Sequence, residues 1–521
     1  MFADLNEAMA KGMAVAFHAA ARPDHLALAT AYGDRTFREL NARSNQLARL
    51  LARHGIGMGE DEAAIAVVTK NRPEFVEAWC AAMRSGIRVT PVNWHLTGEE
   101  TGYIIDNCEA QAVIYDASLG TAEAAAAHAA NCRLRLAVGG AIPGFDDYEQ
   151  AIAGEDPADV ENPVRGSQML YTSGTTGRPK GVYRRQLPVQ RTSAQSVAAG
   201  DPETDRCLCT GPAYHAAPLA FNVTVPLNAG VGVVMMDKWD PEDTLKLIEQ
   251  YRITHTHMVA TMFHRLLQLP DEVKRRYDLS SLKLVMHGAA PCPVHVKRAI
   301  IEWFGPIVYE YYAATEGGNN FGIDSEAWLK KPGSVGTTPT PENTRILDDE
   351  GEEVAQGEVG TIYFRAPEVG RVEYFKAPEK TGDSYRGDWF TLGDMGYLDE
   401  DGYLFLTGRS AETIISGGVN IYPQEIDAVL LQHPAVLDAC TIGVPNDEWG
   451  EEVKAVVHLK DEALPGDATA ADLLAFARDR LPGYKCPRSV DFVDTLPRLP
   501  SGKIQRRLVR DPYWAGRDRQ I

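Results

Sequence analysis

Helical and strand-like stretches alternate along the chain as far as about residue 320, and this alternation restricts the fold more than any other feature. Residues 37–55, "FRELNARSNQLARLLARHG", carry apolar side chains at helical spacing and close on Gly55. "AAIAVVT" (63–69) is a buried-strand run, "NRPEFVEAWCAAMRSG" (71–86) a helix and "IRVTPVN" (87–93) a strand. "GYIIDNCEA" then "QAVIYD" repeat helix and strand. "VGVVMMD", "PEDTLKLIEQYR", "THTHMV" and "LKLVMHG" extend the series. Strand–helix–strand units of this kind build parallel sheets, so the fold class is α/β.

The texture changes near residue 333. Residues 345–368 and 393–409 read as short strands joined by Asp-Gly and Glu-Gly turns, which predicts antiparallel hairpins and a small barrel. Beyond "LTGRS" the pattern is mixed: helix 423–434, strands 437–445 and 451–460, helix 470–482. We therefore expect an N-terminal domain over 1–409 and a C-terminal α+β domain over 410–521.

Charge narrows the partners. The formal net charge is −20, from 72 acidic and 52 basic residues. Such a surface repels nucleic acid and anionic membrane. The opening "MFADLNEAMAKGMAVAF" has charges where a signal peptide needs an apolar run, and reads as one amphipathic helix. No stretch reaches the roughly 20 apolar residues that span a bilayer, so no stable membrane insertion is expected. The expected location is cytoplasmic. Eight scattered cysteines read as reduced core thiols. His255, His257 and His264 sit close in sequence, but no carboxylate or cysteine completes a metal set.

The segment "YTSGTTGRPKG" (171–181) is the most distinctive short stretch. Its backbone N–H groups can converge on an anion, glycine lets backbone approach phosphate, and Lys180 adds a point charge. The same composition suits a plain surface loop. It is not a Walker A motif. Composition supports phosphate binding without settling it.

The exact string, with six others in order, resembles the adenylate-forming superfamily of acyl-CoA synthetases, nonribosomal peptide adenylation domains and firefly luciferases. The others are "GPAYHAAP" (211–218), "HGAAP" (287–291), "YYAATEGG" (311–318), "WFTLGDMG" (389–396), "LTGRSAETIISGGVNIYPQEID" (406–427) and "LPRLPSGKIQRR" (496–507). The resemblance spans about residues 35–510. It implies a large domain of two α/β subdomains plus a small β-barrel, followed by a small mobile C-terminal domain.

It also implies chemistry. A carboxylate attacks the α-phosphate of ATP and pyrophosphate leaves; a thiol, most often that of coenzyme A, then displaces AMP. Positioning and charge neutralisation are the protein's tasks. By resemblance, Thr172, Ser173, Gly174, Thr175, Thr176, Gly177 and Lys180 grip the β- and γ-phosphates. Thr315 donates to the α-phosphate, and Glu316 binds Mg²⁺. Asp394 accepts from the ribose, assisted by Arg409. Tyr312 gives adenine an aromatic face, with Glu310 and Tyr311 beside it, and Gly288, Ala289 and Ala290 a flat wall. Lys503 bridges α-phosphate and carboxylate. Gly417 and Gly418 line a pantetheine tunnel after the C-terminal domain rotates, and His215 gates it. Phe221, Ala289, Gly317 and Gly318 surround the acyl group.

Three positions depart from the family pattern: Ala313 and Ala289 stand where glycine is usual, and Ala411 where the hinge is usually Asp or Lys. Ala411 suggests a chain specialised for one half-reaction, working beside a partner acyl-activating enzyme or an acyl carrier on a separate chain. A pseudoenzyme is the other alternative; Lys503, Glu316, Asp394 and Arg409 together argue against it. The leading expectation is an acyl-CoA ligase for a bulky or long apolar acid, of the fatty-acid, bile-acid, steroid or polycyclic type. No charged side chain is evident in the sequence to read a second carboxylate on the substrate.

Overall fold

The computed structural model describes residues 2–57, 63–172, 179–184, 193–368, 370–499 and 502–515. Two largely parallel sheets form the first part. An eight-stranded sheet runs, in spatial order, Gly317–Ile323, Val308–Ala314, Leu284–His287, His255–Met258, Arg206–Cys209, Gly232–Met235, Leu26–Thr30 and Arg35–Thr36, with its outermost pairings antiparallel. A six-stranded parallel sheet runs Asp146–Asp147, Leu134–Val138, Ala112–Asp116, Ala64–Val68, Arg88–Pro91 and Ser167–Gln168. Every residue of Ala64–Val68 is buried, as helix-covered parallel sheets require.

The helices follow their caps. Phe37–Arg53 begins at Thr36, which accepts from the Glu39 amide while the Glu39 carboxylate accepts from the Thr36 amide. Its apolar face, Phe37, Leu40, Leu47, Leu50 and Leu51, is buried. Each such side chain contributes about 1.5–3 kcal/mol. The helix expected at "GYIIDNCEA" starts earlier, at Gly98, because Thr97 and Glu100 form a second capping box. The expected single opening helix is two, Leu5–Ala10 and Ala14–Ala21. The chain turns at Gly12, whose α-carbon lies against the Met83 carbonyl and leaves no room for a side chain.

A five-stranded antiparallel sheet of Thr344–Leu347, Gly360–Arg365, Tyr385–Arg386, Trp389–Leu398 and Leu404–Arg409 follows. The last sheet holds Ile414–Ser416, Val419–Ile421, Val436–Asn446, Gly450–Leu459 and Ser489–Phe492, covered by Pro423–Leu430 and Asp467–Arg478. All eight cysteines are free thiols. No helix among the described residues is long and apolar enough to cross a membrane.

Candidate active site

The glycine-rich segment grows from a small sheet. Leu170–Thr172 pairs antiparallel with Lys180–Tyr183, placing Thr172 opposite Lys180. Ser173, Gly174, Thr175, Thr176 and Gly177 lie outside the described residues. Burial pulls the Lys180 ammonium below its usual pKa, and Lys380 adds to this.

Thr315 and Glu316 form the two-residue tip of the hairpin Val308–Ala314/Gly317–Ile323, where Ala314 pairs with Gly317. A tip projects its side chains beyond the sheet edge. The Glu316 carboxylate accepts from Tyr374 Oη at 3.1 Å, and its carbonyl accepts from the Arg184 guanidinium.

Asp394 faces Arg409 across adjoining strands. Tyr312 Oη donates to Asp394 Oδ2 at 2.7 Å, and Arg409 Nε meets Oδ1 at 3.0 Å. Burial works against the Arg409 charge, but Asp394, Glu412 and Glu316 outweigh it and raise its pKa. The Tyr312 ring packs beside Phe321 and Phe364 and is only 8% exposed. Its evident structural role is therefore to orient Asp394, and little ring face remains for adenine.

Lys503 reaches this cluster from the C-terminal part. The loop before it is pinned: Arg498 pairs with Asp438 at 2.6 Å and donates to the Gly502 carbonyl. Gly502 abuts the helix of the eight-stranded part, since a Cβ there would lie 2.4 Å from Thr261 Oγ1. Burial lowers the Lys503 pKa, Arg409 lowers it further, and Glu412, Asp394 and Glu316 oppose them. Among the described residues the Lys503 ammonium makes no hydrogen bond or ion pair, while its backbone carbonyl accepts from the Leu499 amide at 2.8 Å. A half-buried ammonium without a partner loses part of its hydration, and an anion placed there offsets that loss. Arg506, three residues on at the start of the helix Arg506–Arg510, holds Glu412 at 3.3 Å and Asp427 at 2.8 Å, so the segment after the lysine is tied to the residue after Ala411.

His215 stacks obliquely on Tyr214, which meets Trp94 edge-on, and Trp94 stacks on His95 at 3.5 Å. Burial, with His95 adding, pushes the His215 pKa down to about 4, so the imidazole is neutral at pH 7. His215 Nε2, Tyr214 Oη and Trp94 Nε1 are buried without partners among the described residues. Three orphaned polar atoms in one aromatic corner suit a polar guest.

A cavity of about 340 Å³ opens beside Thr315 and Ala216. Leu170 and Val182 wall one side; Leu219, Ala220 and Val225 wall the other. Arg184 and Arg165 also line it, two charged side chains the sequence did not single out. None of the four residues expected around the acyl group lines this cavity. The Phe221 ring centroid lies 4.6 Å from that of Tyr311 and 5.8 Å from that of His257, within the helical turn Pro218–Thr224. Ala289, Gly317 and Gly318 do not line it either.

Other expected positions also resolve differently. Glu310 is committed to a buried ion pair with Lys297 at 2.5 Å, and Tyr311 Oη to His257 at 2.9 Å, so neither side chain joins the Asp394 cluster. Alternation along Val308–Ala314 sends Tyr311 to the face opposite Tyr312. Gly288 is buried against Tyr311. Ala289 has φ +66°, the left-handed conformation that explains why glycine suits this position. Ala290 follows it, half-buried. Gly417 and Gly418 both have positive φ in the two-residue turn between Ile414–Ser416 and Val419–Ile421, and are exposed. Turn geometry by itself favours glycine at both positions. Sequence reasoning missed Arg184, Arg165, Tyr374, Trp94 and Arg506. The Arg-Arg pair of "KGVYRRQ", just past the glycine loop, was the one visible signal.

Together the fold and this cluster define an adenylate-forming enzyme. The chain belongs to the AMP-binding enzyme family: residues 15–372 match that family, and residues 425–503 match its C-terminal domain. It is an ATP-dependent, AMP-forming ligase. It is 34% identical over 487 residues to a 2-succinylbenzoate–CoA ligase of Geobacillus kaustophilus, covering 93% of this chain and 94% of the other. It is 30% identical over 502 residues to a medium/long-chain fatty-acid–CoA ligase of Mycobacterium tuberculosis, covering 93% and 86%. The solved o-succinylbenzoate CoA synthetase of Bacillus subtilis, in complex with its acyl-adenylate intermediate, superposes with a TM-score of 0.78 at 27% identity, over 98% and 99% of the two chains.

Proposed function

We propose that this enzyme is an acyl-CoA ligase acting on a long or bulky carboxylic acid with a largely apolar body. The observation that carries the reading is Lys503: an unpartnered, half-buried ammonium of the C-terminal part, brought beside Asp394, Arg409 and Glu316. The apolar walls of the cavity beside Thr315, and relatives named for an aryl acid and for fatty acids, support the substrate class.

In the first half-reaction a carboxylate oxygen attacks the α-phosphorus of ATP, and the bond to pyrophosphate breaks. Lys503 neutralises charge gathering on the carboxylate and the α-phosphate. Thr315 donates to the phosphate, and Asp394, held from both sides, accepts from the ribose hydroxyls. Thr172 and Lys180 lie at the base of the loop that would hold the departing pyrophosphate. Glu316, an oxygen ligand at a hairpin tip, would hold Mg²⁺, which neutralises phosphate charge when bound. In the second half-reaction the thiolate sulfur attacks the acyl carbonyl and AMP leaves. Neutral His215 and its orphaned neighbours flank that approach. We place the domain boundary at 409/410 and the hinge at Ala411, with Glu412–Arg506 supplying the polar tie that alanine lacks.

The test is incubation with ATP, Mg²⁺ and a panel of acids, with and without CoA, with products identified by mass spectrometry. AMP, pyrophosphate and an acyl thioester support the proposal; AMP formation with no thioester for any acid rejects the CoA step.

A further inference from the structure

The cavity beside Thr315 is electropositive in a protein that is otherwise strongly acidic. Its described lining includes Arg165 and Arg184 and no acidic residue. Both arginines are half-buried. Arg184 donates to the Glu316 carbonyl, and its guanidinium occupies the space a side chain at Gly317 would need. Arg165 makes no hydrogen bond or ion pair with any described residue, and neither arginine has a carboxylate at ion-pair distance. Burial draws both guanidinium groups below their usual pKa; for Arg184, Tyr385 and Glu316 offset this only in part. With 72 acidic residues in the chain, two half-buried arginines lacking a counter-ion in one cavity are not explained by packing.

Their placement has a direction. Leu170 pairs with Val182, and continuing that register sets Arg184 beside Gln168, at the end near Thr315. Arg165 lies three residues further back, roughly 10 Å along an extended chain. It is next to Gly166, whose amide bonds the Met83 carbonyl at the end formed by Met9, Gly12 and Met83. Between the two stand Leu170, Val182, Ala216 and Ala220. A cation near the reacting end, an apolar middle and a free cation at the far end match one kind of molecule.

We propose that the substrate is a dicarboxylic acid, activated at one carboxylate while the other is bound by Arg165. This rests on the acyl-CoA ligase reading and adds the far-end group. An arginine fork binds carboxylate bidentately, and a charge-assisted contact of this sort discriminates about tenfold to a hundredfold against a partner lacking it.

The experiment compares straight-chain α,ω-dicarboxylic acids with monocarboxylic acids of equal length, by kcat/KM for pyrophosphate release across a series of lengths. For lengths that span the cavity, the wild-type enzyme should favour the diacid by about tenfold or more. Arg165→Met should remove most of that preference, mainly through KM, while Arg165→Lys keeps part of it. Melting curves of both variants establish that they are folded. A wild-type ratio at or below one at every length, or a ratio unmoved by Arg165→Met, overturns the inference while monoacid turnover leaves the ligase reading intact. Failure of every acid to release pyrophosphate overturns both.

Discussion

Both oxygens of Asp394 are engaged, one by Tyr312 and one by Arg409, so the carboxylate is fixed before any ribose arrives. Asp394→Ala should weaken ATP and acyl adenylate together by about tenfold to a hundredfold, measured by calorimetry. Unchanged affinities would reduce it to a strand residue. Lys503→Ala should retain ATP binding and cut pyrophosphate release by roughly a thousandfold, the scale of losing a charge at a charged transition state. Its lowered pKa has a further consequence. The ammonium is the working form, so kcat/KM should fall on the alkaline side, through a pKa below the ordinary lysine value of 10.5. A profile flat to that value would contradict the lowered pKa that partial burial gives Lys503. These residues were legible because their motifs are local strings. Tyr374 and Arg184 were not: Tyr374 reaches Glu316 only because Glu373–Tyr374 pairs with the strand Lys180–Tyr183, a contact across nearly 200 residues that no short stretch encodes.

At the scale of elements, periodicity gave the parallel strands and long helices, and caps and turns gave the corrections. Thr36→Ala removes one side of a capping box and should cost about 1 kcal/mol in urea denaturation. The hairpin carrying Thr315 and Glu316 was hidden from periodicity, because "YYAATEGGNN" has small residues where a strand pattern needs apolar alternation. Arg506 is the element-level tie beside the proposed hinge at Ala411. It joins the helix after Lys503, Arg506–Arg510, to Glu412 and Asp427. Glu412→Ala should slow pyrophosphate release while leaving thioester formation from synthetic acyl adenylate and CoA less affected. Ala411→Asp, assayed the same way, reads whether alanine biases the two halves. Equal rates in both halves for wild type and Ala411→Asp would remove the case for specialisation.

Over the whole molecule, buried neutral histidines link stability to pH. Burial lowers His215 to about 4 and His257 to about 3, and holds His287 well below its usual value, with Lys297 adding. Below about pH 6.5 the unfolded chain takes up protons that the folded chain refuses, so stability is full above that pH and is lost on acidification. Unfolding free energy should drop by several kcal/mol between about pH 6.5 and 4, measured by denaturant titration. The sequence shows these histidines but not their burial, which depends on pairing among strands far apart in the chain. Packing of Gly502, next to Lys503, against Val259 and Thr261 is likewise a property of the assembled molecule. The most direct measurement is exchange of labelled pyrophosphate into ATP without CoA. An acid that is a substrate should induce exchange, omission of acid should abolish it, and Lys503→Ala should suppress it. Exchange that is independent of acid, or that appears only when CoA is added, would contradict formation of an acyl adenylate at this site.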